Sequence, residues 1–170
     1  MKLNIKEIAI FAMLGAMMFG SKLAMEALPN IHLIGVFIIA FTVVYRQKAI
    51  YPISVYIFLL GLYAGFDIWW LPNLYIWFVL WGMTMLIPKS LPVKIQPVVY
   101  MCVCAIHGFA YGTLYAPAQA LFFGLSWEGM IAWIIAGLSF DLTHGISNFC
   151  LGLLIVPVIT VLKKAEKLAR

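Results

Sequence analysis

The stretch "IHLIGVFIIAFTVVYRQK", Ile31 to Lys48, decides the fold. Its apolar part ends at Tyr45 and runs for about 15 residues, which makes only about 22 Å of α-helix. A hydrocarbon core is about 30 Å thick. On length alone the stretch reads as a half-span or a buried loop, and whether it crosses sets how often the chain crosses.

Composition places the chain in a membrane. Of its 170 residues, 65% are hydrophobic and 10% charged, where a soluble domain carries about 25% charged residues. Apolar runs near the length of a membrane helix recur along the whole chain. Six runs are expected as helices, near Ile5–Met25, Ile31–Tyr45, Ala49–Phe66, Trp69–Ile87, Pro97–Phe123 and Ser139–Leu162. The first is as long as its successors and lacks a small-residue cleavage site, so it reads as a span and not a cleaved leader. A single domain over residues 1–170 is expected.

Charge answers the question that length leaves open. If all six runs cross, Lys2, Lys6, Arg46, Lys48, Lys89, Lys94, Lys163, Lys164, Lys167 and Arg170 fall on one side and only Lys22 on the other. Glu26, Asp67, Glu128 and Asp141 join Lys22. Basic residues collect on the cytoplasmic side of membrane proteins, and removing the second run would scatter them over both faces. The expectation is an all-α membrane protein with six transmembrane helices and both termini cytoplasmic, placed in the cell membrane. The short second helix would tilt little or thin the bilayer. The net charge of +5 then reflects topology, and no nucleic-acid partner is needed. The segment "LSWEGMIAWIIAG", Leu125 to Gly137, fits no span and is expected as a lateral helix or a lid on the outer side.

Polar residues within such runs are costly and mark function. Asp141, His144 and Asn148 recur three and four residues apart, on one helical face. His107, Tyr111, Tyr115 and Gln119 form a second stripe, each four residues from the last. Trp70, Asn73, Trp77 and Trp81 form a third. Each stripe has a plainer explanation. Trp69, Trp70, Trp127 and Trp133 suit an interfacial belt, His107 suits a bond to a neighbouring helix, and Asp141 could cap its own helix. Concentration of all three stripes toward one side of the bilayer favours an outward pocket with apolar walls and a few placed polar groups.

On the first run Ala12, Ala16 and Gly20 fall every four residues. Small residues on one face admit a second helix closely, either inside the bundle or from a partner. No G-x-x-x-x-G-K-[ST] occurs, so ATP binding through a P-loop is excluded. Cys102, Cys104 and Cys150 lack zinc-ligand spacing, and no metal site is expected. No hydrolase or metalloprotease signature is present. Asp141 with His144 is the one reactive pair, and it lacks a nucleophile, so no catalytic residue is assigned. Internal repeats, the mark of many secondary transporters, are not evident.

With these residues in view, the chain resembles the substrate-binding S component of an energy-coupling factor vitamin transporter. The likeness covers nearly the full length: size, six spans, cytoplasmic ends and the basic tail "LKKAEKLAR". "EALPNIHLIG", Glu26 to Gly35, resembles that family's first external loop, and "FDLTHGISN" the opening of its last helix. The resemblance implies that Ala12, Ala16 and Gly20 dock on a transmembrane coupling subunit driven by two ATPases. This chain itself would bind no cofactor, with ATP hydrolysed by the partners. It further implies one vitamin held in the outward pocket, with contacts drawn from Asn30, His32, Trp70, Asn73, Trp77, His107, Tyr111, Tyr115, Gln119, Asp141, His144 and Asn148. Cobalamin stands first among the expected ligands, followed by pantothenate, pyridoxine-type compounds and queuosine precursors. The alternatives are a small membrane protein outside transport (a sensor, an assembly factor or a lipid-modifying enzyme) and an ion-coupled secondary transporter.

Overall fold

The computed structural model describes residues 3–169, with side chains to residue 167. Lys2 and Arg170, which entered the charge count, lie outside the described residues. The chain is all-helical, with no strand among the described residues. In order the helices are α1 (Ile5–Ala24), α2 (Ile34–Tyr45), α3 (Ile50–Ala64), α4 (Asn73–Met85), α5 (Gln96–Phe109), α6 (Tyr111–Phe123), α7 (Trp127–Leu151) and α8 (Ile155–Ala169). Four helical stretches, the last three each with a short internal break, are long and apolar enough to cross a membrane: Ile5–Ala24, Ile34–Ala64, Gln96–Phe123 and Trp127–Lys167. Large apolar side chains cover their outward faces, among them Met13, Phe58, Leu121, Ile135, Phe140 and Leu153. Such a surface suits a lipid solvent.

The deciding stretch becomes the centre of the bundle. Nine consecutive residues of α2, Ile34 to Thr42, are buried, and α1, α4, α5, α7 and α8 all pack on it. A helix apolar on every face belongs in an interior, and 12 residues make about 18 Å. Its apolar length is therefore shielded by neighbouring helices. At its end Arg46 adopts φ 53° and ψ −120°, a left-handed conformation unusual for a side-chain-bearing residue. It opens the 3₁₀ turn Arg46–Ala49 that separates α2 from α3.

Three further breaks follow local chemistry. Ala110 ends α5 with its N–H on the Ile106 carbonyl, 3.0 Å away, so the expected Pro97–Phe123 run is two helices. Gly124, at φ 64°, ends α6 in the left-handed conformation glycine tolerates. Ser126 then caps α7 by accepting the Gly129 N–H at 3.1 Å. The segment Leu125–Gly137 is consequently no lateral helix: from Trp127 it is the first half of α7, continuous with Asp141–Asn148. A 3₁₀ turn at Gly152–Leu154 separates α7 from α8, just ahead of Pro157, whose missing N–H cannot extend the ladder.

Two close pairings frame the bundle. α1 lies along α3, and α5 along α7. In the second, a Cβ on Gly108 would sit 2.9 Å from the Cα of Gly145, so the glycines are what let the two backbones touch. The small-residue face of α1 is not used this way. Ala12, Ala16 and Gly20 are exposed, and a Cβ on Gly20 would meet nothing within 4 Å. The face of α1 that packs on α3 is Phe11, Gly15 and Met18.

Candidate functional site

At the end of the bundle where α1 and α3 finish and α4 begins, a cavity of about 340 Å³ opens. Tyr56 (α3), Trp77 (α4), Tyr111 and Tyr115 (α6) and His144 (α7) form its walls, with His32 from the segment before α2. Lys22, Glu26 and Asn30 stand at its rim with Tyr63 and Trp69. The rings form one connected set. Tyr111 lies 4.9 Å from His144 and 5.6 Å from Trp77 between centroids, and His32 lies 4.8 Å from His144 and 5.8 Å from Trp77. Edge-to-face arrangements dominate, the geometry that aromatic quadrupoles favour.

Hydrogen bonds fix the walls. Trp77 Nε1 donates to Asn73 Oδ1 at 2.9 Å, and Asn73 Nδ2 donates to Trp70 O at 3.3 Å, which orients the indole from its own helix. Tyr115 Oη donates to Trp69 O at 3.0 Å, tying α6 to the turn that precedes α4. Ser147 Oγ lies 3.0 Å from the Asn30 carbonyl and so tethers the rim segment, where Asn30 holds φ 60°. On this cavity His32 Nδ1 and His144 Nε2 are buried without a hydrogen-bond partner, a state shared elsewhere in the bundle by His107 Nδ1, Asp141 Oδ2 and Asn148 Oδ1. Buried polar atoms are nearly always partnered. The rings that carry these two nitrogens both stand in the wall of the first cavity.

A second cavity, of about 520 Å³, adjoins the first and shares Asn30, Tyr111 and Tyr115 with it. Gly112, Gln119, Trp133, Ala136, Gly137, Phe140 and Asp141 complete it, with Trp133 stacked on Tyr115 at 5.9 Å and 18°. Asp141 does not cap its own helix. It lies in the middle of α7, and its Oδ1 accepts the Gly112 N–H at 2.9 Å, so it caps the first turn of α6 from a neighbouring helix. A Cβ on Gly112 would fall 2.5 Å from Asp141 Oδ2. Only glycine leaves room for that bond.

The sequence-derived residues thus divide. Asn30, His32, Asn73, Trp77, Tyr111, Tyr115 and His144 line the first cavity, and Gln119 and Asp141 the second. Trp70, His107 and Asn148 line neither. Trp70 Nε1 donates to Ile57 O at 2.8 Å, His107 Nε2 to Ile76 O at 3.0 Å, and Asn148 Nδ2 to Cys104 O at 3.2 Å. These three are cross-links between helices, the plainer explanation that the sequence had offered for His107. Asp141 lines the second cavity and His144 the first, and the Asp141 carboxylate is engaged by the Gly112 N–H.

Tyr56, Tyr63, Lys22, Glu26, Trp69 and Trp133 were missed as lining residues. Lys22 carried a signal, as the one basic residue set against the charge bias. Trp69 and Trp133 were hidden by their fit to an interfacial belt, and Tyr56 by its apolar run. No family model, curated protein or solved structure matches this chain.

Proposed function

We propose that this chain is the substrate-binding membrane subunit of an ATP-driven vitamin uptake transporter of the energy-coupling factor type. In this reading the chain crosses the cell membrane six times with both termini in the cytoplasm, and the larger cavity system opens outward. The observation that carries it is the aromatic cavity with the orphaned nitrogens of His32 and His144. It has the apolar walls and few convergent polar groups of a small-molecule site. The rings would stack on a flat ligand, and the imidazoles with Asn30 and Asn73 would meet its polar edges. The chain has no P-loop, so the energy would come from two partner ATPases through a transmembrane coupling subunit. The exposed Ala12, Ala16 and Gly20 face on α1 is the surface on which that subunit would close.

Size and shape order the ligands anew. A cavity of about 340 Å³ lies near the low end of small-molecule pockets, about 300–1,000 Å³. That favours a single flat ring or a fused pair, as in pyridoxine-type compounds and queuosine precursors. It disfavours cobalamin, whose corrin ring and nucleotide loop far exceed the space, and pantothenate, which has no ring to stack.

The purified chain, without ATPases, is tested by thermal unfolding against a vitamin panel. A ligand at a hundredfold its Kd adds about 2.7 kcal/mol, a shift of roughly 5–10 °C for a chain of this size. Saturation at one ligand per chain is the expected result. Silence across the whole panel removes the proposal's support.

A further inference from the structure

The opposite end of the bundle carries a cavity that the vitamin reading does not use. It measures about 290 Å³ and lies between the end of α2, the α4–α5 connection, α5 and α8. Arg46, Lys89 and Lys163 line it together with Gln96 and Tyr100. No acidic residue lines it: Glu7 pairs with Lys48, and Glu166 sits one turn beyond Lys163 outside the lining. Three cations therefore share one concave space, and none of them is ion-paired among the described residues, with Glu166 lying nearer Tyr45.

Arg46 shows that the space is built. Its backbone is held at φ 53°, a conformation that costs free energy and persists where the surroundings enforce it. Trp81 Nε1 donates to its carbonyl at 3.2 Å, and its own Nη2 donates to Met85 O at 2.8 Å. These bonds aim the guanidinium, yet its Nε is buried with no partner. A guanidinium N–H removed from water and left unpaired is costly, and a planar fork of donors fits phosphate oxygens.

We propose that this cavity binds a phosphate group, with the half-buried Arg46 as its central donor and Lys89 and Lys163 closing over it. The phosphate belongs either to an anionic lipid headgroup or to free inorganic phosphate. Val43, Val44 and Ile87 on the same lining suit the glycerol and first methylenes of a lipid. Basic pockets between membrane helices are a recognised form of headgroup site. Bound there, one phosphate would tie α2, α5 and α8 together at the end where α2 stops short. The proposal stands whether or not a vitamin binds at the other end.

The test uses purified, delipidated protein in neutral detergent, read by native mass spectrometry and thermal unfolding. Phosphatidylglycerol, phosphatidylcholine and inorganic phosphate are added separately. One phosphatidylglycerol per chain should be retained and should raise Tm, with phosphatidylcholine doing neither. Arg46→Gln should abolish retention. Because that change also removes the Met85 bond, Lys89→Gln and Lys163→Gln carry the test independently, at exposed side chains. Each should weaken binding by roughly fivefold, the effect of one basic residue at an anionic headgroup, while Lys94→Gln, outside the cavity, should not. Stabilisation by inorganic phosphate as strong as by the lipid supports the site and assigns it to the free anion. Equal retention of both lipids, or lysine variants that bind like the parent, overturns the proposal.

Discussion

Asp141 on α7 accepts the backbone N–H of Gly112 in the first turn of α6, at 2.9 Å. Two helices adjacent in sequence are thereby joined side by side, the carboxylate of one meeting the positive end of the other's dipole. Asp141→Ala leaves a buried N–H unpaired, which costs about 1–3 kcal/mol, or roughly 3–10 °C in Tm. Asp141→Asn keeps an acceptor and should lose less than half of that. Gly112→Ala should resemble Asp141→Ala, because its Cβ would fall on the carboxylate. Thermal unfolding in detergent ranks the three, and an asparagine variant as weak as the alanine one would refute the assignment.

His144 and His32 present the unpartnered nitrogens of the first cavity. Losing one hydrogen bond to a ligand costs roughly 1 kcal/mol or more, so His144→Ala should weaken ligand affinity at least about fivefold by that measure. Its Tm without ligand should fall as well, since the His144 ring is 2% exposed and packs edge-to-face on His32 and Tyr111. Trp77→Ala should weaken both, because Trp77 is 2% exposed and packs in the core. Titration of intrinsic tryptophan fluorescence measures the first effect and unfolding the second.

The two faces of α1 should respond oppositely to added bulk. A Cβ on Gly15 would lie 2.6 Å from Val55 Cβ and 2.8 Å from the Pro52 carbonyl. Gly15→Ala should therefore destabilise by about 1–3 kcal/mol, the usual cost of overpacking. Ala16→Trp, on the exposed face, should fold and bind ligand normally. If that face meets a coupling subunit, the same variant stops uptake by the assembled transporter. A parallel loss of folding in Ala16→Trp would place the stripe inside the bundle.

Ser126 begins α7 through its bond to the Gly129 N–H. Ser126→Ala removes the cap at a cost of about 1 kcal/mol, and Ser126→Asp should retain it. Hydrogen exchange at Trp127–Met130 should quicken in the alanine variant and stay slow in the aspartate one. Were Leu125–Gly137 a detached lateral helix, exchange would quicken through the whole segment as far as Gly137.

Much of this was legible along the chain. Apolar runs anticipated α1 through α4 within a few residues, but merged α5 with α6 and cut α7 in two, joining its second half to α8. Helical period placed Tyr111, Tyr115 and His144 on faces that do line a cavity, since a spacing of three or four residues is a property of the helix itself. The missed continuity of α7 had a local signal in "GLSWEG", Gly124 to Gly129, a glycine stop followed by a serine cap, which hydropathy alone passes over.

Composition and periodicity by themselves determined that the chain is a set of apolar helices and which residues share a face. Only the tertiary structure decided which neighbour each face meets. That choice put α2 at the centre, spent Asp141 on the Gly112 amide, turned His107 and Asn148 into cross-links, and left His32 and His144 open. The reason is steric: helices approach where glycines such as Gly108, Gly112 and Gly145 admit them, and a pattern confined to one helix holds no information about the backbone that will fill the gap.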